Sequence, residues 1–442
     1  MKWDLEAIAA ACGGTPTGSV DITGVSTDTR SIGEGDLYVA LRGETFDGHD
    51  FADRAMEAGA AGVLVEHGRL AEGSPGVEVD DTLAALRALA VRRREELTAQ
   101  VVAITGSSGK TSTKDLAAAA LQSPASPRSF NNEVGVPLTI LSAPSDATHL
   151  VVEVGSRGRG DIALLAPAIR PDVAVITTAG SAHLETFGDH EGVLTAKWEL
   201  VEALTPSGVA VLPAEDERMQ DRRTGPVITF GEVPAADLFA SGVQLDEMGR
   251  PRFELRHEGR TVVLDMVSSG RHQARNAAAA VAAAVVMGIG FETAAERVAR
   301  ASVSQWRMEV STRRIPAGVI TVVNDAYNAN PDSMRSALET VAAMPARARI
   351  AVLGKMHELG AAEDEAHHAV GALAAALGFD VVVVGDDPGI ATGAGAEAVS
   401  FEDVDSAAAH LGLVAGGGDV VLVKASRATG LEVIPDLLEA AS

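Results

Sequence analysis

The residues with the clearest capacity for chemistry lie at 101–112, VVAITGSSGKTS. Apolar, β-prone residues lead into a run of small ones, then Lys110 and Thr111, then the helical pattern TKDLAAAAL. A strand that turns through glycines into a helix N-terminus offers outward backbone N–H groups and the positive end of a helix dipole. A nucleotide phosphate there would lie on Thr105, Gly106, Ser107, Ser108, Gly109, Lys110, Thr111 and Ser112, with Lys110 as a point charge and the Thr111 hydroxyl as a Mg²⁺ ligand. Ile104 stands where the first glycine of G-x-x-x-x-G-K-[ST] belongs, so an ordinary strand–helix turn is the competing explanation.

Further candidates follow in order. Glu153 is a carboxylate in the otherwise apolar VVEVG, at the carboxyl end of a predicted strand, where a phosphate-bound Mg²⁺ needs an acid; a solvent-facing strand end is the alternative. His183 falls in the loop after the next strand, as a ligand or an incidental residue. Lys197 shares a helical face with Val193, Leu200, Val201 and Leu204, so it must snorkel, pair or lose its proton more readily. An uncharged amine there could add CO₂ and become an anionic metal ligand. Gln273 and Asn276 open an Ala-rich helix, where they could read an adenine edge or cap the helix. In NDAYNANPDSM (324–334), Asp325, Asn328 and Asn330 crowd a strand-to-helix junction that also has N-cap chemistry.

Alternating elements must position these groups. Residues 1–80 read as a small α/β unit with strands at 35–41 and 61–66, a helix at 51–60 and ligand-gripping loops at 26–31 and 42–51. A helix at 81–99 follows, its Arg92–Arg94 run reading as a solvated face. Strands at 101–105, 149–154, 173–178 and 208–212, separated by helical segments, imply a parallel sheet with ligands at its carboxyl edge. Residues 226–268 look antiparallel, and 271–287 helical. Strands at 318–324, 349–354, 380–384 and 419–424 form a further α/β unit of buried, apolar strands.

Composition narrows the class. The chain has 442 residues, 46% apolar and 22% charged, which favours a packed globular protein of several domains. A net charge of −25 argues against nucleic-acid and membrane-surface binding. The single cysteine, Cys12, cannot form an internal disulfide. Acids close to the N-terminus do not suit a secretory signal, and the uncharged run 276–291 falls short of the ~20 residues that cross a bilayer. A cytoplasmic protein without membrane insertion is expected.

Together the segments resemble the Mur ligase family, the ATP-dependent amide-bond-forming enzymes of peptidoglycan synthesis. The resemblance runs through STDTRSIGEGDLYVAL, FDGHDF, TGSSGKT, NNEVGVP, VEVGSRGRGDI, AHLETFG, TAKWE, GRH with RN, DAYNANPDSM, LGKMHELG and VKASR. The G-x-x-G-K-T form is that of the family, and D-x-Y-N-A-N-P-x-S-M marks its branch that adds D-alanyl-D-alanine to UDP-N-acetylmuramoyl-tripeptide. The resemblance implies an α/β fold of three parts: a UDP-sugar-binding domain at 1–82, a central P-loop ATPase domain with a parallel sheet at 83–305, and a Rossmann-like domain at 306–442. It implies ATP and Mg²⁺, with Lys110, Glu153, His183 and Lys197 as catalytic residues. Thr111, Glu153, His183 and Lys197, the last as a carbamate, would be metal ligands. Asn276, Arg307 and Asp325 would contact the nucleotide. Ser26, Arg30, Asn131 and Asn132 would bind the UDP-sugar, and Tyr327, Asn328, Asn330 and Ser333 the dipeptide side. A monomer acting on small molecules, closing its last domain over ATP, is expected.

The chain departs from the family pattern at Thr178 and Gln273 (each usually Asn), Lys355 (usually Asp), and Trp306 and Ala425 (each usually Gly). Lys355 reverses a charge near the expected acceptor site. It keeps open a Mur-type or folylpolyglutamate synthase-like ligase with another amine, and an ATP-binding regulatory module without catalysis is the alternative of a different class.

Overall fold

A computed structural model describes residues 1–180, 184–222 and 224–440. The N-terminal part carries a five-stranded sheet in the order Thr15–Thr17, Gly76–Val79, Gly62–Glu66, Asp36–Val39, Gly24–Ser26, parallel apart from the first pairing. The helix expected at 51–60 is a 3-10 turn, Gly48–Phe51, that runs into Ala52–Glu57.

The central sheet has eight strands in the order Arg260–Asp265, Pro251–His257, Leu238–Leu245, Val227–Gly231, Val209–Pro213, Val173–Ile176, Gln100–Thr105, His149–Glu153. Gln100–Thr105 is flanked by the two strands that follow it in sequence, one on each side. The winding direction reverses there, which opens a crevice at the carboxyl end of this strand. The antiparallel expectation for 226–268 holds only from Leu238–Leu245 onward. Val227–Gly231 instead extends the parallel sheet by pairing with Val209–Pro213.

In the last part six strands run Glu309–Ile315, Gly318–Asn324, Val420–Lys424, Arg349–Gly354, Asp380–Val384, Val399–Phe401. Gly318–Asn324, expected to open this unit, is its second strand and pairs antiparallel with Glu309–Ile315. That edge strand reads EVSTRRI, too polar to register as a buried strand. Such edge strands need bury only one face.

Helix Thr82–Glu96 joins the first two parts. Asp81 caps it by accepting from the N–H groups of Leu83 and Ala84. Its apolar residues Leu86 and Leu89 belong to one core that includes Leu37 and Leu64 of the first sheet and Val101 and Val152 of the central one. The arginine run is not a solvated face. Arg93 donates to the Ala143 carbonyl at 2.7 Å, and Arg94 to those of Ile169, Leu97 and Arg170 at 3.0, 3.2 and 3.2 Å. Both are buried, and they satisfy carbonyls where loops leave helix ends. Arg92 stays on the outside, 5.4 Å from the Trp3 ring.

Arg94→Met, which keeps the aliphatic stem and orphans three carbonyls, should lower stability by about 2–3 kcal/mol. Arg92→Met should change it by less than ~1 kcal/mol. Urea unfolding of both variants checks the contrast, and equal small effects would restore the solvated-face assignment.

Candidate active site

The turn after Gln100–Thr105 is shaped by two glycines. Gly106 has φ +152°, and a Cβ there would stand 1.9 Å from Thr177 Oγ1. Gly109 has φ +79°, and a Cβ would stand 2.6 Å from Asn276 Oδ1. The turn hangs from the neighbouring strand end. Ser107 N–H donates to the Thr178 carbonyl at 2.9 Å, Ser108 N–H to Thr178 Oγ1 at 3.1 Å, and the Thr177 hydroxyl to the Ser108 carbonyl at 2.5 Å. Thr178 therefore supports the loop with a shorter side chain than the family's asparagine.

Helix Lys110–Leu121 begins directly after Gly109. Lys110 Nζ folds back onto the Gly106 carbonyl at 2.5 Å, and burial lowers its pKa against the pull of Glu153. The Thr111 hydroxyl donates to Glu153 Oε2 at 2.8 Å, while Glu153 Oε1 accepts from Asn131 Nδ2 at 2.7 Å. Glu153 is 1% exposed, so the solvent-facing alternative falls. A hydroxyl and a carboxylate at one sheet edge form an all-oxygen donor set that suits a hard cation. Among the described residues no three His, Cys, Asp or Glu side chains converge on a metal position. A Mg²⁺ here would complete its shell with water and phosphate oxygens.

The last part of the chain is docked over this edge. Arg307 Nη2 donates to Thr111 Oγ1 at 2.7 Å and to Ser129 Oγ at 3.2 Å, and its guanidinium lies 4.2 Å from the Tyr327 ring centre. Asp325 pairs with Lys424 at 2.5 Å and accepts from Met308 N–H at 3.0 Å, fixing the segment that bears Arg307. His272 Nδ1 meets Ser336 Oγ at 3.2 Å, and Arg271 N–H donates to Thr340 Oγ1 at 3.3 Å. The cleft between the two parts measures about 1460 Å³.

Asn276 and Gln273 bond to each other at 3.0 Å, and no side chain caps their helix at His272. The capping alternative falls, and Asn276 instead lies against Gly109. Asn330 and Ser333 form a reciprocal cap on helix Pro331–Ala342, at 2.9 and 3.0 Å, so their polar groups serve the helix start although both line the cleft. Tyr327 and Asn328 line it too, as does Asn132, whose Oδ1 accepts from Gly135 N–H at 2.8 Å. Ser26 and Arg30 stand apart from the cleft lining. Ser26 Oγ accepts from Asp28 N–H, and Arg30 forks onto Asp28, holding that carboxyl at about 2. His183 lies outside the described residues.

Lys197 does not snorkel. It is 1% exposed, 5.9 Å from the Phe187 ring centre, and burial with nearby Lys110 lowers its pKa to about 7. Lys355 pairs with Glu363 at 2.6 Å and does not line the cleft, so its charge is met locally. Two residues escaped the sequence reading. Lys114, buried, donates to the Ser126 and Arg128 carbonyls at 2.9 and 2.7 Å and so holds the loop carrying Ser129. A lysine on the inward face of the phosphate-loop helix was the available signal for it. Ser129 had none, because only the fold brings it to Thr111.

Family models match in chain order: "Mur ligase family, catalytic domain" at 21–94, "Mur ligase middle domain" at 104–284 and "Mur ligase, glutamate ligase domain" at 306–427. The chain belongs to the Mur ligase family. As a Mur ligase it is an ATP-dependent, ADP-forming enzyme with the three-part α/β architecture described above. Among curated relatives, the UDP-N-acetylmuramoyl-tripeptide–D-alanyl-D-alanine ligase of Mycobacterium tuberculosis H37Rv is 38% identical over 95% of this chain and 92% of that one. The Escherichia coli K12 enzyme of the same name is 34% identical over 95% and 94%. MurF from Acinetobacter baumannii superposes with a TM-score of 0.90 at 29% identity, covering 99% of each chain. MurF from Thermotoga maritima, solved with ADP, gives 0.83 at 28% identity over 95% and 97%.

Lys197 is a base whose pKa falls from 10.5 to about 7 on folding. Between those values the unfolded chain holds the proton and the native one has released it, so native stability rises with pH across that window and is lowest below it. Lys197→Met should therefore be more stable than wild type at about pH 6, with the advantage shrinking towards pH 10. Thermal melts across pH read this out, and a pH-independent difference would overturn it.

Proposed function

We propose that this chain joins D-alanyl-D-alanine to the tripeptide carboxyl of UDP-N-acetylmuramoyl-tripeptide, with ATP cleaved to ADP and phosphate. The observation that carries this reading is the Thr111 hydroxyl held between Glu153 and Arg307. A nucleotide on the phosphate loop is thereby enclosed by the unit that would bring the amine. The names of the relatives supply the substrates.

In this reaction the substrate carboxylate attacks the γ-phosphorus of ATP, giving an acyl phosphate and ADP. The dipeptide amine then attacks the acyl carbon, and the tetrahedral intermediate expels phosphate as the amide forms. Such phosphoryl transfer depends on positioning and charge neutralisation. The loop amides and Lys110 take the outer phosphates, and Arg307 adds a cation from the docked unit. Thr111 and Glu153 would hold a Mg²⁺, which supplies charge neutralisation on the phosphoryl group when bound. Asn131 keeps the Glu153 carboxylate oriented. Asn276, against Gly109, is assigned to the nucleotide, as is Asp325 through its hold on the Arg307 segment.

Lys197, with its low pKa and apolar surroundings, suits CO₂ addition, and as a carbamate it would join Glu153 and His183 around a second metal. Ser26, Arg30 and Asn132 are assigned to the UDP-sugar, and Tyr327, Asn328, Asn330 and Ser333 to the dipeptide side. We assign the enzyme to the cytoplasm as a monomer. Among the described residues no helix is long and apolar enough to cross a membrane.

Phosphate release should require ATP, Mg²⁺, the UDP-tripeptide and D-alanyl-D-alanine together, with the pentapeptide product seen by mass. Release with another amine would keep the mechanism and change the substrate, whereas no release under any combination would favour a binding module. Glu153→Gln should lower turnover on the order of a hundredfold, measured by the same assay. ¹³CO₂ should give a carbamate resonance that is absent from Lys197→Met.

A further inference from the structure

Arg307 is preceded and followed by residues in the left-handed region, Trp306 at φ +59° and Met308 at φ +53°. A bulky residue held there is strained, and persists only where its surroundings fix it. Trp306 N–H donates to Glu309 Oε2 at 3.0 Å, and its carbonyl accepts from Tyr327 N–H at 3.3 Å. The indole lies under a different arginine. Arg427 lies with its guanidinium carbon 4.1 Å from the Trp306 ring centre.

Arg427 lines the cleft, and Trp306 does not. The other cations that this part of the chain brings to the cleft are committed. Lys424 serves Asp325 and the Asn328 carbonyl, and Arg307 serves Thr111, Ser129 and the Tyr327 ring. Arg427 pairs through Nη1 with Glu432 at 2.6 Å, yet its side chain is 49% exposed. A planar fork of five donors with one polar contact made among the described residues keeps capacity for a carboxylate, and stacking on an indole fixes the plane in which it offers them.

We propose that Trp306 is a positioning and specificity-determining residue for the amine substrate, acting through Arg427, which receives that substrate's carboxylate. This rests on the dipeptide ligase reading above, in which the amine substrate enters amine first and carries a negative charge at its far end. One strained segment then serves both substrates: Arg307 reaches the phosphate loop, and Trp306 backs the cation that orients the nucleophile. Losing the ring leaves the charge in place, held by Glu432 but without the aromatic face that sets the plane of its remaining donors. The cost falls on binding of a carboxylate and not on the chemistry of the acyl phosphate.

The test compares wild type, Trp306→Gly and Trp306→Phe in the phosphate-release assay. Glycine adopts a positive φ without strain, so the first variant removes the ring and keeps the backbone. Trp306→Gly should raise KM for D-alanyl-D-alanine about tenfold, a change of the size expected for a misplaced charge-assisted hydrogen bond, with kcat and KM for ATP within about twofold. Trp306→Phe should recover most of the loss. With D-alanyl-D-alaninamide, which lacks the carboxylate, wild type should lose roughly ten- to hundredfold in kcat/KM and Trp306→Gly should match it. An unchanged dipeptide KM in Trp306→Gly, a loss carried by ATP, or a Trp306→Gly that stays about tenfold below wild type on the amide would overturn the proposal while leaving the ligase reading intact. Wild type that releases no phosphate with the dipeptide would overturn both, and that arm is read first.

Discussion

The Thr111 hydroxyl is the point on which the rest of the site depends. It donates to Glu153 on one strand of the central sheet and accepts from Arg307 of the following unit. A hydroxyl can do both at once, because it carries a donor and acceptor lone pairs on one atom. The phosphate loop, the buried acid and the docked unit thus share one contact. A longer or charged side chain at this position would hold one neighbour and push away the other.

Buried cations around that contact are stabilised in different ways. Lys114 is matched by carbonyls of the loop it anchors and by Asp115 at 2.9 Å, and Lys424 by Asp325 and a carbonyl. These are structural solutions, in which each donor meets a fixed acceptor. Among the described residues Lys110 has a single loop carbonyl, and Lys197 an aromatic ring. Both have lowered pKa values, and burial is the main cause in each. An amine left short of acceptors is suited to receiving an anion or to reacting, and of the two so placed Lys110 lines the cleft. In a chain with a net charge of −25, positive charge is concentrated where anionic substrates would meet.

Docking of the last unit over the central sheet gives the cleft its second wall. Helix Pro331–Ala342 does much of this through Ser336 and Thr340, which meet His272 and the Arg271 backbone. The same helix is started by the Asn330–Ser333 cap. Residues that read as substrate-facing therefore also set the angle at which the wall stands. Such sharing explains why this junction supports both a structural and a functional assignment.

Local sequence determined the elements and the chemistry that each could offer. Apolar runs fixed the buried parallel strands, and glycines at positive φ fixed the phosphate loop, because both depend on a few neighbouring residues. Glu153 was legible for the same reason, as an acid at the end of an apolar strand. Tertiary structure decided what those groups meet. The Arg93 and Arg94 side chains read as solvated because helical periodicity says nothing about the loop carbonyls that end beside them. Lys355 read as a charge near the acceptor site, and the fold pairs it with Glu363, on the helix that follows. The fate of Lys197 turned on burial, which only packing from several elements can impose. Ser129 and Arg427 acquire their places through contacts spanning much of the chain, and no local pattern encodes a meeting of residues so far apart in sequence.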